Sequence, residues 1–198
     1  MKVIGITGGV GSGKTALLTC LQEKYHCKVI LADEAAHQVE APGQKCYRQL
    51  VELLSDEILE EDGTINRKRF AQKIFENELL RKKVNEIVHP AVKQYIREEI
   101  SFQKEQGVLD FLFIEAALLI EDGYLNIVDE MWYIYAREDV RRERLRKNRN
   151  YSDEKIDAIM EAQLTEEEFR NACSVVIDNS GTLEESFLQI DRKVREYL

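Results

Sequence analysis

Eight residues near the amino terminus, Gly8-Gly9-Val10-Gly11-Ser12-Gly13-Lys14-Thr15, fit the pattern G-x-x-x-x-G-K-[ST] and constrain the fold more than any other stretch. Successive backbone N–H groups curl around phosphate oxygens only where side chains leave room, which is a use for glycine at 8, 9, 11 and 13. Lys14 adds a point charge for β- and γ-phosphates, and Thr15 offers a hydroxyl to Mg²⁺. The flanks agree with this. Residues 3–7 form a short apolar run of strand type, and the chain from Ala16 continues as a helix whose positive N-terminus would meet the phosphates. Such a strand–loop–helix unit implies an α/β protein that binds a nucleoside triphosphate.

The rest of the chain extends the α/β pattern. Apolar runs at 3–7, 28–31, 109–115, 131–135 and 175–177 alternate with long charged amphipathic stretches. Their continuous apolar character predicts strands buried on both faces of a parallel sheet, with Trp132 inside it. Residues 183–198 have helical periodicity through Leu183, Phe187, Ile190 and Val194, and are expected to pack on the sheet. From about 44 to 106 the pattern is helical with no strand signal, too long for a simple crossover. We read one domain over 1–198: a core of about 1–43 and 107–198, a helical acceptor-binding insertion of about 44–106, and a lid of about 137–170.

Composition limits the partners. A net charge of −9 with 33% charged residues argues against a broad nucleic-acid surface. The four cysteines have no metal-binding spacing and read as free thiols in a reducing cytoplasm. Neither a signal peptide nor a membrane span is expected, since the most apolar run, 111–120, is short and contains Glu115.

Several side chains are placed for phosphoryl transfer. Asp33 follows the second strand, where it can accept the proton of an attacking hydroxyl or cap a helix starting at Glu34. Glu115 ends the third strand, a position suited to holding the water shell of Mg²⁺ or to pairing with an arginine. Glu121 beyond it reads as either a site acid or an exposed loop acid. Residues 137–149 concentrate Arg137, Arg141, Arg142, Arg144, Arg146, Lys147 and Arg149. One or two of these are expected to neutralise the transferring group, and the others to form i,i+4 pairs on a solvated face. His89-Pro90 reads as a helix start with a histidine that either contacts substrate or is structural.

In order along the chain, these features resemble the dephospho-CoA kinase family nearly end to end. The matching residues are Gly5-Ile6-Thr7 with the phosphate loop, and Ala32-Asp33 through Ala36-His37-Gln38-Val39 with Pro42-Gly43. Further on come Asp62-Gly63, Arg67, Phe75, His89-Pro90, Gln163 and Val176-Ile177-Asp178-Asn179. The resemblance implies a nucleoside-triphosphatase-type parallel five-stranded sheet flanked by helices. It implies transfer of the ATP γ-phosphoryl group to the 3′-hydroxyl of the dephospho-CoA ribose, with Mg²⁺. Asp33 then matches the base, Lys14 and Thr15 the phosphate and metal groups, and Arg144 a lid arginine, with Arg149 one position beyond the second. Gly8, Gly9, Gly11, Ser12, Gly13, Lys14, Thr15, Ala16 and Asn179 match the nucleotide site, with adenine near Asn179. His37, Arg67 and His89 match the acceptor site, and Glu115 a metal-site acid. A monomer or small homo-oligomer is expected.

Departures from the family pattern are local. Glu115, Ala117 and Ile120 replace Asp, Pro and Phe, and Arg141 stands where Gln is frequent. Asn148 holds the usual place of the second lid arginine, and Ser174 replaces an Asp. Two rivals remain at this stage, a nucleoside monophosphate kinase and a GTP-dependent switch. The latter needs an Asn-Lys-x-Asp reader, which the sequence lacks.

Overall fold

A computed structural model describes residues 1–75, 77–116 and 118–198. Ala117, one of the departures above, lies outside the described residues. The chain divides into two compact units, Met1–Val29 with Gln106–Leu198, and Ile30–Glu105.

The first unit is built on the sheet. Its strands are β1 (Lys2–Thr7), β2 (Cys27–Leu31, which runs on into the second unit), β3 (Phe111–Glu115), β4 (Glu130–Tyr135) and β5 (Val175–Asp178), in the order β2-β3-β1-β4-β5. The sheet is parallel, as expected, with Ile4 opposite Phe113, Ile6 opposite Trp132 and Tyr135 opposite Asp178. Each strand matches a sequence run to within two residues at either end. Phe111, Leu112, Phe113 and Ile114 are all buried, because helices cover both faces of such a sheet. Trp132 is in the core beside Phe113, and its indole N–H donates to Glu130 Oε2 at 3.0 Å.

Around the sheet run α1 (Lys14–Lys24), α6 (Glu138–Arg149), α7 (Asp153–Glu161), α8 (Glu166–Ala172) and α9 (Leu183–Arg195). Capping boxes start α8 at Thr165 with Glu168, and α9 at Thr182 with Glu185. The last helix packs on α1 and β5. Ile190 and Val194 carry that packing, whereas Leu183 at the helix start is exposed. Lys24 and Tyr25 both bond Asp191, at 2.8 and 2.6 Å, tying the end of α1 to α9.

The second unit is helical: α2 (Ala32–Val39), α3 (Lys45–Leu54), α4 (Arg67–Phe75) and most of α5 (Glu78–Gln106). Its core includes Leu50, Leu54, Ile58, Phe70, Val84, Val92 and Ile96. The link between α3 and α4 contains an isolated antiparallel bridge, Leu59 to Ile65, around a turn in which Gly63 has φ of 82°. The expected helix start at His89-Pro90 is corrected here. Pro90 lies inside the 29-residue α5, where it removes one backbone donor without ending the helix.

Candidate active site

The phosphate loop joins β1 to α1, and the outward sides of its peptide units are all bonded. Gly8 O accepts from Lys14 Nζ at 2.7 Å, Gly9 O from Ser12 N at 3.1 Å, and Val10 O from Arg141 Nε at 2.9 Å. Ser12 O accepts from Asn179 Nδ2 at 2.6 Å and from Arg144 at 3.2 Å, and the same guanidinium reaches Gly11 O at 3.5 Å. Every carbonyl from 8 to 12 therefore has a donor, three of them cationic side chains. With its carbonyls held in this way, and the N–H groups of Val10 and Ser12 bonded within the protein, the loop leaves its other N–H groups to be presented to an anion.

Asn179 holds the far side of the loop. Its side chain is buried, accepts from Ser186 Oγ at 2.8 Å, and sits where a Cβ on Gly13 would have to go. Gly13 also has φ of 88°, so a side chain is excluded there twice over. Arg144 donates to Asn179 O at 2.9 Å, so loop, lid arginine and carboxyl-terminal segment form one network.

Lys14 is largely buried and pairs with Glu115 Oε1 at 3.7 Å. Desolvation pushes its pKa down, the Glu115 charge opposes this, and the Arg141 and Arg149 charges add to the depression. Arg149, at the exposed end of α6, is thus electrostatically close to Lys14. Two hydroxyls in this region, Thr7 Oγ1 and Ser12 Oγ, are buried without a hydrogen-bond partner. An orphaned hydroxyl inside a loop of this type fits a site that takes an oxyanion. Thr15 and Ala16 are exposed at the start of α1, whose N-terminus has no side-chain cap.

The arginine cluster sorts itself by partner. Arg137 pairs with Asp139, Arg142 with Glu138 and Asp157, Arg146 with Asp153, and Lys147 with Glu143. Arg141 and Arg144 turn instead to the loop. Sequence reasoning named Arg141 as one of the cluster and as a departure from the family pattern, without singling it out for the loop, and gave Ser186 no place. A clue was available, because 141 and 144, three residues apart, lie on one face of a helix.

Within the second unit, Asp33 occupies the first turn of α2 and is exposed. The helix starts at Ala32, its N-cap position is Leu31, and no side chain caps it. The alternative in which Asp33 caps a helix from Glu34 is therefore not adopted. His37 is exposed in the last turn of α2, and His89 is half-buried in α5. Arg67, at the start of α4, bonds the buried carboxylate of Glu40, a partnership that sequence pattern did not foresee. Glu121 is exposed. Among the described residues, no cluster of three His, Cys, Asp or Glu side chains could hold a metal, and no helix is long and apolar enough to cross a membrane. All four cysteines are free thiols.

Comparison with known proteins addresses the fold and the family together. A solved Thermus thermophilus protein superposes with a TM-score of 0.78 at 26% identity, covering 98% of this chain and 97% of its own. A dephospho-CoA kinase from Campylobacter jejuni, 20% identical, shares the fold at a TM-score of 0.74 over 98% and 96% of the two chains. Among curated proteins, the dephospho-CoA kinase of Geobacillus kaustophilus is 36% identical, covering 94% of this chain and 92% of the relative. That of Oceanobacillus iheyensis is 34% identical, over 98% and 97%. The family model for dephospho-CoA kinase matches residues 2–185. A match of that extent, with curated relatives at about a third identity over nearly the full chain, places the chain in the dephospho-CoA kinase family.

Proposed function

We propose that this ATP-dependent kinase transfers the γ-phosphoryl group of ATP to the ribose 3′-hydroxyl of dephospho-CoA, giving coenzyme A and ADP. The observation that carries the reading, beside family membership, is the loop whose carbonyls at 8–12 are all bonded outward. Its N–H groups, with those opening α1 through Ala16, are the ATP phosphate site, which covers Gly8, Gly9, Gly11, Ser12, Gly13, Lys14 and Thr15. The segment at Asn179 borders the adenine.

In this mechanism Lys14 turns from Gly8 O to the β- and γ-phosphates, whose negative charge opposes the desolvation that lowers its pKa. Arg144 and Arg149 bring further positive charge to the transferring group. Asp33 accepts the 3′-hydroxyl proton as the new O–P bond forms and the bond to the β-phosphate oxygen breaks. His37, Arg67 and His89 hold the acceptor, with the Glu40 carboxylate fixing Arg67. The Thr15 hydroxyl and the Glu115 carboxylate are hard oxygen donors of the kind Mg²⁺ takes, and they would hold the ion here. It would supply positive charge against the phosphates. The helical unit is the acceptor-binding part, residues 137–170 form the lid, and the enzyme works in the cytoplasm as a monomer or small homo-oligomer.

The test is competitive. The enzyme is incubated with ATP and dephospho-CoA or a panel of nucleoside monophosphates, and the product's phosphate is located by ³¹P NMR. Phosphate on the 3′-oxygen of dephospho-CoA is expected, and faster turnover of any monophosphate would overturn the reading.

A further inference from the structure

Glycine at position 9 lacks the usual explanation for a phosphate loop. Gly8, Gly11 and Gly13 all have positive φ, whereas Gly9 does not, so its backbone would accept any residue. Position 9 is also one of the unspecified positions of the G-x-x-x-x-G-K-[ST] pattern. The nearest atoms that exclude a side chain there belong to Arg141. A Cβ on Gly9 would lie within 3.0 Å of three atoms of the Arg141 guanidinium.

That guanidinium is not free to step aside. Its Nε donates to Val10 O at 2.9 Å, and its Nη2 donates to Gln163 Oε1 at 2.8 Å. Gln163 Oε1 in turn accepts from Val10 N at 3.2 Å, so both backbone groups of Val10, one from each adjoining peptide unit, are gripped. Both of these acceptors are neutral oxygens, and burial is the leading cause that pushes the Arg141 pKa down. Nearby Glu138 is bonded to Arg142. A partly buried cation with neutral hydrogen-bond partners is costly to hold. Beside an anion site that cost becomes useful, because incoming phosphates supply the missing counter-charge.

We propose that Arg141 is a positioning residue for the ATP phosphates, that Gln163 holds it in place, and that Gly9 is glycine to admit Arg141 and not to admit phosphate. This deepens the kinase reading and rests on the loop being its ATP site.

The test is a double-mutant cycle with Gly9→Ala and Arg141→Ala, read as KM for ATP, KM for dephospho-CoA and binding of inorganic tripolyphosphate by calorimetry. Each single variant is expected to weaken ATP and tripolyphosphate about tenfold or more, leaving KM for dephospho-CoA within about twofold. In the Arg141→Ala background, adding Gly9→Ala should change either value by less than about twofold. The effect of Gly9→Ala would then vanish once its neighbour is removed, a non-additivity that two independent losses of structure would not produce.

Equal damage by Gly9→Ala in both backgrounds would overturn the proposal, as would wild-type phosphate binding in Arg141→Ala. Should Gly9→Ala not fold alone, Gln163→Leu serves in its place. It should weaken tripolyphosphate in the presence of Arg141 and have little effect without it, and equal effects would overturn the proposal. Tripolyphosphate binding does not involve the acceptor. If phosphates bind as expected and dephospho-CoA is not phosphorylated, the kinase reading alone fails.

Discussion

The phosphate loop and the helical unit solve opposite problems. The loop is braced by the protein itself: its carbonyls are bonded by Lys14, Arg141, Arg144 and Asn179. The candidate acceptor residues of the second unit are held far less. Asp33, His37 and Arg67 are exposed, and of these Arg67 alone is fixed to a buried partner. The difference suits the two substrates. On the proposed function a triphosphate is recognised by backbone groups that must be aimed in advance, whereas the acceptor is gripped by side chains on helices.

Lys14→Ala attacks the braced half most directly. Removing this charge should cost kcat about 10²–10³-fold for any acceptor, measured by coupled ADP release. A loss confined to KM for ATP would mean that Lys14 binds the ground state only. Asn179→Leu should come next. It removes two hydrogen bonds in a buried region, to Ser12 O and from Ser186 Oγ, leaving Ser12 O to Arg144 and Ser186 Oγ to backbone carbonyls, at about 1–3 kcal/mol of stability. Chemical denaturation would read this, together with a raised KM for ATP; an unchanged midpoint would remove the network from the account.

Glu40→Gln probes the looser half. Neutralising the buried partner of Arg67 should raise KM for dephospho-CoA by about fivefold, the scale of a partly exposed ion pair, with KM for ATP unchanged. The smallest effect concerns acid. Hydrogen bonds from Lys24 and then Tyr25 lower the Asp191 pKa from 3.8 to about 2. A carboxyl with a folded-state pKa below its unfolded value stabilises above the unfolded pKa and loses that contribution as pH falls through the folded one. Thermal melts between pH 5 and pH 2 should therefore show a slightly steeper acid decline for the parent than for Asp191→Asn, and parallel curves would exclude the link.

The same contrast explains what was legible in the sequence. The loop and five strands depend on local pattern, so residues 8–15 and runs such as 111–115 announced themselves. The bracing of the loop depends on contacts 131 residues apart for Arg141 and 167 for Asn179, and no spacing rule reaches that far. Pro90 misled because local preference places proline at helix starts, while packing of Val84, Val92 and Ile96 carries α5 through it. Glu40 was overlooked because a glutamate near a helix end looks solvated until the fold buries it against Arg67.

The division between a donor half and an acceptor half turns on Asp33. Asp33→Asn keeps the shape of the side chain and removes its basicity, so ATP affinity and the single-turnover rate of transfer can be measured on the same variant. The expected result is an ATP Kd within about twofold of the parent, with transfer slowed about 10²–10⁴-fold. Near-normal transfer by Asp33→Asn would contradict the account, since the carboxylate would then have no part in taking the hydroxyl proton.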